Sequence, residues 1–497
     1  MKKLTLLLTT VIPVCIHAQQ KPNVIIILSD DLGYGDLGCY GATKIHTPNI
    51  DGLANDGLRF TNAHSSASTS TPSRFSLLTG QYAFRKKEAQ VLPGDAPLII
   101  STEQITLPKI FKQAGYATGI VGKWHLGLGN QTEKNWNGII SPGPNEIGFD
   151  YSFFFPATAD RVPTVFIENH QVVAAEANDS IQVSYKRKIG NDPTGKENPE
   201  LLKMRSSEGH AGTIVNGIAR IGFMKGGYKA RWVDEELSYT FLDKAKQFIN
   251  QHQNAPFFLY YTPVEPHSPR MPATVFKGKS GLGYRGDAIL QLDWSIGELR
   301  KELQRLGIDK NTIIIFTSDN GPVLDDGYED GAVPQLNGHT PAGVLRGGKY
   351  SIYEAGTRMP FIVTWQKEIK SHTVSNALVS QTDFLSSFAS FLKIPVSSNN
   401  KIDSKPLWNA LIGKNLKGRN ILVEQSSTLA IVKDGWKYIA PKKGSLTIAG
   451  VESGLMEEPQ LYNLNTDIRE QKNVAKQYPD KVKQLSELLE EEKTKQE

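Results

Sequence analysis

Four polar clusters follow apolar runs at points where a sheet has no use for them: Asp30-Asp31, Lys123 with His125, His267, and Asp319-Asn320. Adjacent carboxylates at the tip of a buried strand are costly unless something positive neutralises them. Three carboxylates and an amide oxygen form a hard, all-oxygen set that favours calcium or magnesium over zinc. A fifth stretch, Ser70-Thr71-Pro72-Ser73-Arg74, brings different chemistry. Ser70 or Thr71 can cap a helix, Pro72 suits its first turn, and Arg74 lies one turn beyond Ser70. A hydroxyl, a guanidinium and the positive end of a helix then converge, which suits an anion held beside a nucleophile. Singly, each cluster has a plainer reading: a turn, a loop histidine, a capped helix with a surface arginine. Recurrence at strand ends joins them, because the carboxyl ends of parallel strands can meet in one crevice.

The elements that must position these groups are legible. Asn23 to Leu28 is a continuous apolar run, as expected of a strand buried on both faces. Similar runs at 117–121, 256–261, 312–317 and 360–365 predict further strands. Helices are predicted from Thr47 through Leu58, from Thr106 to Gly115, over 234–251 and over 287–306. In the last, Ile289, Leu292, Ile296, Leu299 and Leu303 mark one face. The stretch 150–231, with a strand-like Thr164 to Glu168 and a basic segment from Lys186, reads as an insertion shaping a cleft. Beyond 416, short runs at 420–424, 429–433 and 436–439 predict a small antiparallel sheet, closed by a charged helix from Pro479 to Lys493.

Length and composition fit this reading. The 497 residues are 39% hydrophobic and 22% charged, an ordinary globular composition, and nothing in the chain suggests repeats or a long disordered tract. Residues 1–18 read as a secretory leader: Lys2-Lys3, an apolar stretch from Leu4 to Ile16, and Ala18 before the cut. Val14 before Cys15 is a poor lipidation site. Losing the leader removes two lysines and no acid, so the formal charge falls from +5 to +3. It also removes Cys15, leaving Cys39 alone without an internal disulfide. The expectation is an exported protein, periplasmic or secreted, with no stable membrane insertion and no nucleic-acid partner.

Several motifs occur in order: Asp30-Asp31-Leu32-Gly33, Ser70-x-Pro72-Ser73-Arg74-x-x-Leu77-Leu78-Thr79-Gly80, and Gly122-Lys123-Trp124-His125-Leu126-Gly127. Ser318-Asp319-Asn320-Gly321 and Arg346-Gly347-Gly348-Lys349…Glu354-x-Gly356-x-Arg358-x-Pro360 follow. The set resembles the type I, formylglycine-dependent sulfatases of the alkaline phosphatase-like superfamily, in particular bacterial carbohydrate sulfatases. It covers nearly the whole mature chain, including Trp436-Lys437-Tyr438 and Leu461-Tyr462-Asn463-Leu464. The resemblance implies an α/β fold: a large, mixed, mostly parallel sheet between helices over 19–415, and a smaller α+β subdomain over 416–497.

The resemblance also implies roles. Ser70 would be oxidised to formylglycine, whose hydrate is the nucleophile. Asp30, Asp31, Asp319 and Asn320, with the modified residue 70, would hold one calcium ion per chain. Arg74 would stabilise the hydrated aldehyde. Lys123, His267 and Lys349 would bind sulfate or the leaving oxygen, with His267 or Lys349 donating the proton. His125 would be the base that regenerates the aldehyde. The serine form of the motif implies maturation by a radical-type enzyme able to work without oxygen. The implied substrate is a sulfated saccharide, with galactose or N-acetylgalactosamine sulfate of chondroitin- or mucin-like chains as the expectation. Asp160, Arg161, His210, Asp325, Asp326, His339 and Arg346 lie in loops suited to sugar contact. Two other classes stay open from residues alone: a phosphate or phosphonate ester hydrolase of the same superfamily, and a non-catalytic binder of sulfated glycans.

Overall fold

In the first apolar run, Val24, Ile26 and Leu28 enter one core and Ile25 and Ile27 another, on opposite faces of one sheet. This period of two explains why the run has no polar alternation. Each fully buried side chain of this kind contributes about 1.5–3 kcal/mol. The computed structural model describes residues 21–397 and 400–495, so the expected leader lies outside the described residues.

In chain order the main elements are β1 (Asn23–Ser29), α1 (Pro48–Asp56), β2 (Leu58–Phe60), α2 (Ser70–Thr79), α3 (Leu107–Gln113), β3 (Ala117–Lys123), β4 (Tyr151–Phe155), β5 (Ile167–Glu168) and β6 (Gln171–Val172). Then come α4 (Leu237–His252), β7 (Phe257–Thr262), α5 (Gly283–Arg305), β8 (Thr312–Ser318), β9 (Phe361–Thr364), β10 (Thr373–Ser375) and α6 (Phe384–Leu392). The ten strands form one sheet in the order β10-β2-β9-β8-β1-β7-β3-β4-β5-β6. The five central strands, from β8 to β4, are parallel. Antiparallel pairings join the flanks. Helices α2, α3 and α6 cover one face, and α1, α4 and α5 the other.

Register gathers the polar clusters. Ser29 pairs with Ser318, Ile27 with Tyr261, and Thr262 with Gly122. The four strands therefore end at one level, and Asp30, Asp319 and Lys123 emerge side by side. Gly122 has no Cβ for a reason: one built there would stand 2.1 Å from the Thr262 carbonyl oxygen.

Three expectations shift. Helix α1 stops at Asp56, and Leu58 belongs to β2. Helix α4 begins at Leu237, after a 3-10 turn over Asp234–Glu236. The Thr164 to Glu168 run is a strand only at Ile167–Glu168. Apart from β4 and β6, the rest of 150–231 is loops, 3-10 turns and two small antiparallel pairings, one a hairpin and one between distant segments, pinned by the buried Arg220–Asp234 ion pair at 2.6 Å.

At the C-terminus, β11 (Ile421–Gln425), β12 (Leu429–Lys433), β13 (Trp436–Ile439) and β14 (Gln460–Asn463) form an antiparallel sheet in that order. Helix α7 (Pro479–Thr494) packs on it through Leu485 and Leu489. Tyr82, Ile352 and Tyr353 share this core, so the small sheet is seated on the larger domain. The Gln425 N–H donates to the Ser66 carbonyl (2.9 Å), and the Ser68 N–H donates to the Gln425 carbonyl (2.9 Å). The C-terminal sheet thus props the loop that leads into Ser70.

Candidate active site

Ser70 occupies the first turn of α2 rather than capping it; Thr69, with extended backbone, is the cap. The Ser70 hydroxyl is thereby released from the helix. Its Oγ accepts from Lys123 Nζ (2.8 Å) and lies 3.3 Å from Asp30 Oδ1 and 3.4 Å from Asn320 Oδ1. Lys123 Nζ also donates to both Asp30 oxygens, at 2.8 and 2.7 Å. Arg74, one turn along α2, donates through Nε and Nη2 to Asp319 Oδ2, at 3.0 and 2.7 Å. Asn320 Nδ2 donates to Asp31 Oδ1 (2.7 Å), which leaves its amide oxygen on the Ser70 side. Gly321 makes this turn possible, since a Cβ there would stand 1.8 Å from the Ala355 carbonyl oxygen.

The electrostatics follow from burial. Asp30, Asp31, Asp319, Arg74 and Lys123 are fully buried. Burial above all, and then the facing Asp319 charge, pushes the Asp30 carboxyl up to about 8. Asp319 is held low against its own burial by Arg74 and Lys123. Crowded carboxylates of this kind call for a further cation. The donor set is oxygen-rich, and Asp30, Asp31 and His267 each offer a ligand atom within 4.8 Å of one another. The residues present therefore fit a hard divalent ion.

Two histidines flank this set in different states. Burial first, then the Lys123 and Arg161 charges, holds His125 well below its usual range, so its ring is neutral. Its Nε2 donates to the Leu92 carbonyl (3.0 Å), and its buried Nδ1 has no hydrogen-bond partner. A neutral ring with a free lone pair is a poised base. His267 is also neutral, lowered by burial and then by Lys349 and Lys123. Its Nδ1 lies 2.5 Å from the Ser268 carbonyl oxygen, so Nε2 is left to accept from Lys349 Nζ at 3.3 Å. Lys349 itself is raised well above its ordinary value, against burial, by Asp31 and Asp326. Asp31 and His125 hold left-handed backbone (φ 61 and 60), a strain of about 1–3 kcal/mol each that is typical of functional residues.

Of the loop residues read as sugar contacts, Asp160, Arg161 and His210 form one group. Arg161 Nη1 donates to Asp160 at 2.9 and 3.0 Å, and His210 Nε2 lies 3.4 Å from Asp160. Asp160 is held well below the carboxylate range, against burial, by Arg161, His210 and the nearby His267. Asp326 bonds Lys349, while Asp325 is exposed and accepts from the Gly327 N–H at 3.2 Å. His339 and Arg346 are turned to structural partners. His339 Nε2 bonds Asp36 (2.8 Å), and Arg346 pairs with Glu452 (2.7 Å) and stacks on Tyr353. Both are held by packing that neither local sequence could announce. Sequence reasoning also missed Asp36 and Arg285. Arg285 grips Asp36 (2.6 Å) and reaches the Asp31 carbonyl at 3.4 Å, bracing the acidic turn from behind. Arg285 sits near the start of the long amphipathic helix and carries no local signal.

The family model for sulfatases matches residues 22–394. The chain is 53% identical over 480 residues to the N-acetylgalactosamine-6-O-sulfatase of Bacteroides thetaiotaomicron, covering 96% of this chain and 94% of that protein. It is 32% identical over 406 residues to human arylsulfatase A, covering 81% and 70%. A solved structure from work on the metabolism of multiple glycosaminoglycans by Bacteroides thetaiotaomicron superposes with a TM-score of 0.94 at 53% identity, covering 96% of this chain and all of that one. The phosphonate monoester hydrolase of Agrobacterium radiobacter, at 16% identity and a TM-score of 0.57, shares the fold alone. With the strand-end carboxylates, the Ser70 turn and this likeness along almost its whole length, the chain belongs to the sulfatase family and is a sulfuric ester hydrolase.

Proposed function

We propose that the enzyme is exported and removes the 6-O-sulfate of N-acetylgalactosamine in glycosaminoglycan-like saccharides, through an aldehyde hydrate made from Ser70 and one calcium ion. One observation carries the reading: Ser70 Oγ sits within 2.8–3.4 Å of Lys123, Asp30 and Asn320. The likeness to an N-acetylgalactosamine-6-O-sulfatase supports the sugar and the position. Asp30, Asp31, Asp319, Asn320 and residue 70 would hold the calcium, which supplies charge neutralisation on the sulfate oxygens. The hydrate of an oxidised residue 70 supplies two hydroxyls, one to attack sulfur and one to re-form the carbonyl; an ordinary serine has no such exit. A radical-type maturation enzyme makes this change.

The remaining steps belong to the side chains. Arg74 and Lys123 hold residue 70 and its charge. The leaving sugar oxygen takes its proton from the Lys349–His267 pair: the Lys349 ammonium is the proton's source, and His267 Nε2, which accepts from it, relays the proton onward. His125 Nδ1 then takes a proton from residue 70. Asp160, Arg161 and His210 contact the sugar. With Asp31 and Asp326 included, four buried or near-buried carboxylates face three fixed cations, Arg74, Lys123 and Lys349. One calcium ion then leaves a single net positive charge, the complement of a sulfate monoester.

Release assays on position-defined saccharides test this. The 6-O-sulfated N-acetylgalactosamine is expected to turn over faster than its 4-O-sulfated isomer, and the peptide spanning Ser70 is expected to lose two hydrogens in mass on maturation. Faster cleavage of the matched phosphate ester, or an unchanged Ser70 in protein from a maturing host, would sink the reading.

A further inference from the structure

Lys349 serves two carboxylates that are not equivalent. Its ammonium has three donors, directed at Asp31 Oδ2 (2.9 Å), Asp326 Oδ2 (2.8 Å) and His267 Nε2 (3.3 Å). Asp31 belongs to the proposed calcium set and Asp326 does not. Asp326 is itself fixed from two sides. Its Oδ1 accepts the Tyr350 hydroxyl (3.1 Å), from the residue after Lys349. Its carbonyl accepts the Ser268 hydroxyl (3.4 Å), from the residue after His267. The next residue, Gly327, lies under the His210 ring, where a Cβ would stand 2.2 Å from Cε1. One short loop after the Asp319-Asn320-Gly321 turn thus ties Lys349, the His267 loop and His210 together.

We infer that Asp326 is a positioning residue: it holds the Lys349 ammonium beside His267 and the sulfate group when Asp31 is given over to the metal. Without it, Asp31 is the one carboxylate left for Lys349 beside the neutral His267 ring, and Lys349 competes there with the ion. This rests on the function proposed above, and it separates Asp326 from a sugar contact, since a residue acting through Lys349 affects every sulfate ester alike.

The test compares Asp326→Asn, Asp326→Glu, Lys349→Ala and the Asp326→Asn/Lys349→Ala pair on a sulfated saccharide and on an aryl sulfate. Asp326→Asn is expected to lower kcat about 10–100-fold on both substrates, the usual range for a group that orients an active-site residue. KM is expected to change little, and Asp326→Glu to recover part of the loss. The double variant is expected to be no slower than Lys349→Ala alone, because the two act as one unit. In calorimetric titration with calcium alone, Asp326→Asn is expected to weaken binding several-fold, and to have no effect once Lys349 is Ala. Wild-type kcat on the aryl sulfate with a raised KM for the saccharide would make Asp326 a sugar contact and overturn the inference. So would multiplicative losses in the double variant, or unchanged calcium affinity in Asp326→Asn. A wild type that releases no sulfate would instead defeat the functional reading, while the calcium titration would still decide on Asp326.

Discussion

Among the described residues, two clusters of buried acids have ligand atoms close enough to hold an ion: Asp30, Asp31 and His267 at the strand ends, and His64, Glu354 and Glu424 under the C-terminal sheet. They differ in what fills them. In the second, Lys437 Nζ lies 3.0 Å from Glu354, 3.0 Å from Glu424 and 3.5 Å from Glu470, with every partner fully buried. The other oxygens are taken as well: His64 Nδ1 and the Thr357 hydroxyl bond Glu424 Oε1, Arg358 bonds Glu354, and the Glu354 N–H bonds Glu470. An ammonium built into β13 takes the place of a cation. The first cluster also contains lysines, yet Lys123 and Lys349 each touch a second group with a proposed part in the reaction, Ser70 and His267. A buried acidic cluster is a structural joint when its cation is internal and held by those acids alone, and a site when its cations are shared with other polar groups.

The sharpest way to break this comparison is at Ser70. Ser70→Ala is expected to reduce sulfate release to the uncatalysed background while leaving the melting temperature and the fold intact; retained turnover would move the nucleophile elsewhere. The second cluster is expected to respond the opposite way. Lys437→Met strands carboxylates in the core and is expected to cost about 3–5 kcal/mol in denaturant unfolding. Calcium titration is expected to show one site per chain in both wild type and Lys437→Met, and a second wild-type site would dissolve the distinction. The smallest effect sharpens it. Burial above all, with Glu354 and Glu424 adding and Lys437 opposing, pushes Glu470 from 4.5 up to about 8. The folded chain then keeps a proton that the unfolded chain has lost between those values. Stability from this group is full below 4.5 and is lost as pH rises towards 8. The neutral Glu470→Gln is expected to gain on the wild type as pH rises through that window, read as a widening gap in denaturant midpoint. A pH-independent gap between the two would refute the assignment.

Much of this was legible in residue order. The apolar runs specify buried parallel strands because they lack alternation, and Asp30-Asp31, Lys123 and Asp319-Asn320 follow them directly. Other features were not legible. Asp326, His339 and Arg346 read alike as loop residues suited to sugar contact, and Ser70, read as the precursor of the nucleophile, was also a possible helix cap. Each was decided by a partner distant in sequence: Lys349, Asp36, Glu452 and Lys123. The sequence by itself determined the strands, the order of the motifs and the residue types that meet at the strand ends, because periodicity and side-chain chemistry are local properties. Only the tertiary structure decided which lone pair of each histidine is free, which carboxylate holds Lys349, and which acidic cluster is sealed by a lysine. Those depend on strand register and on where distant loops return, which no local pattern encodes.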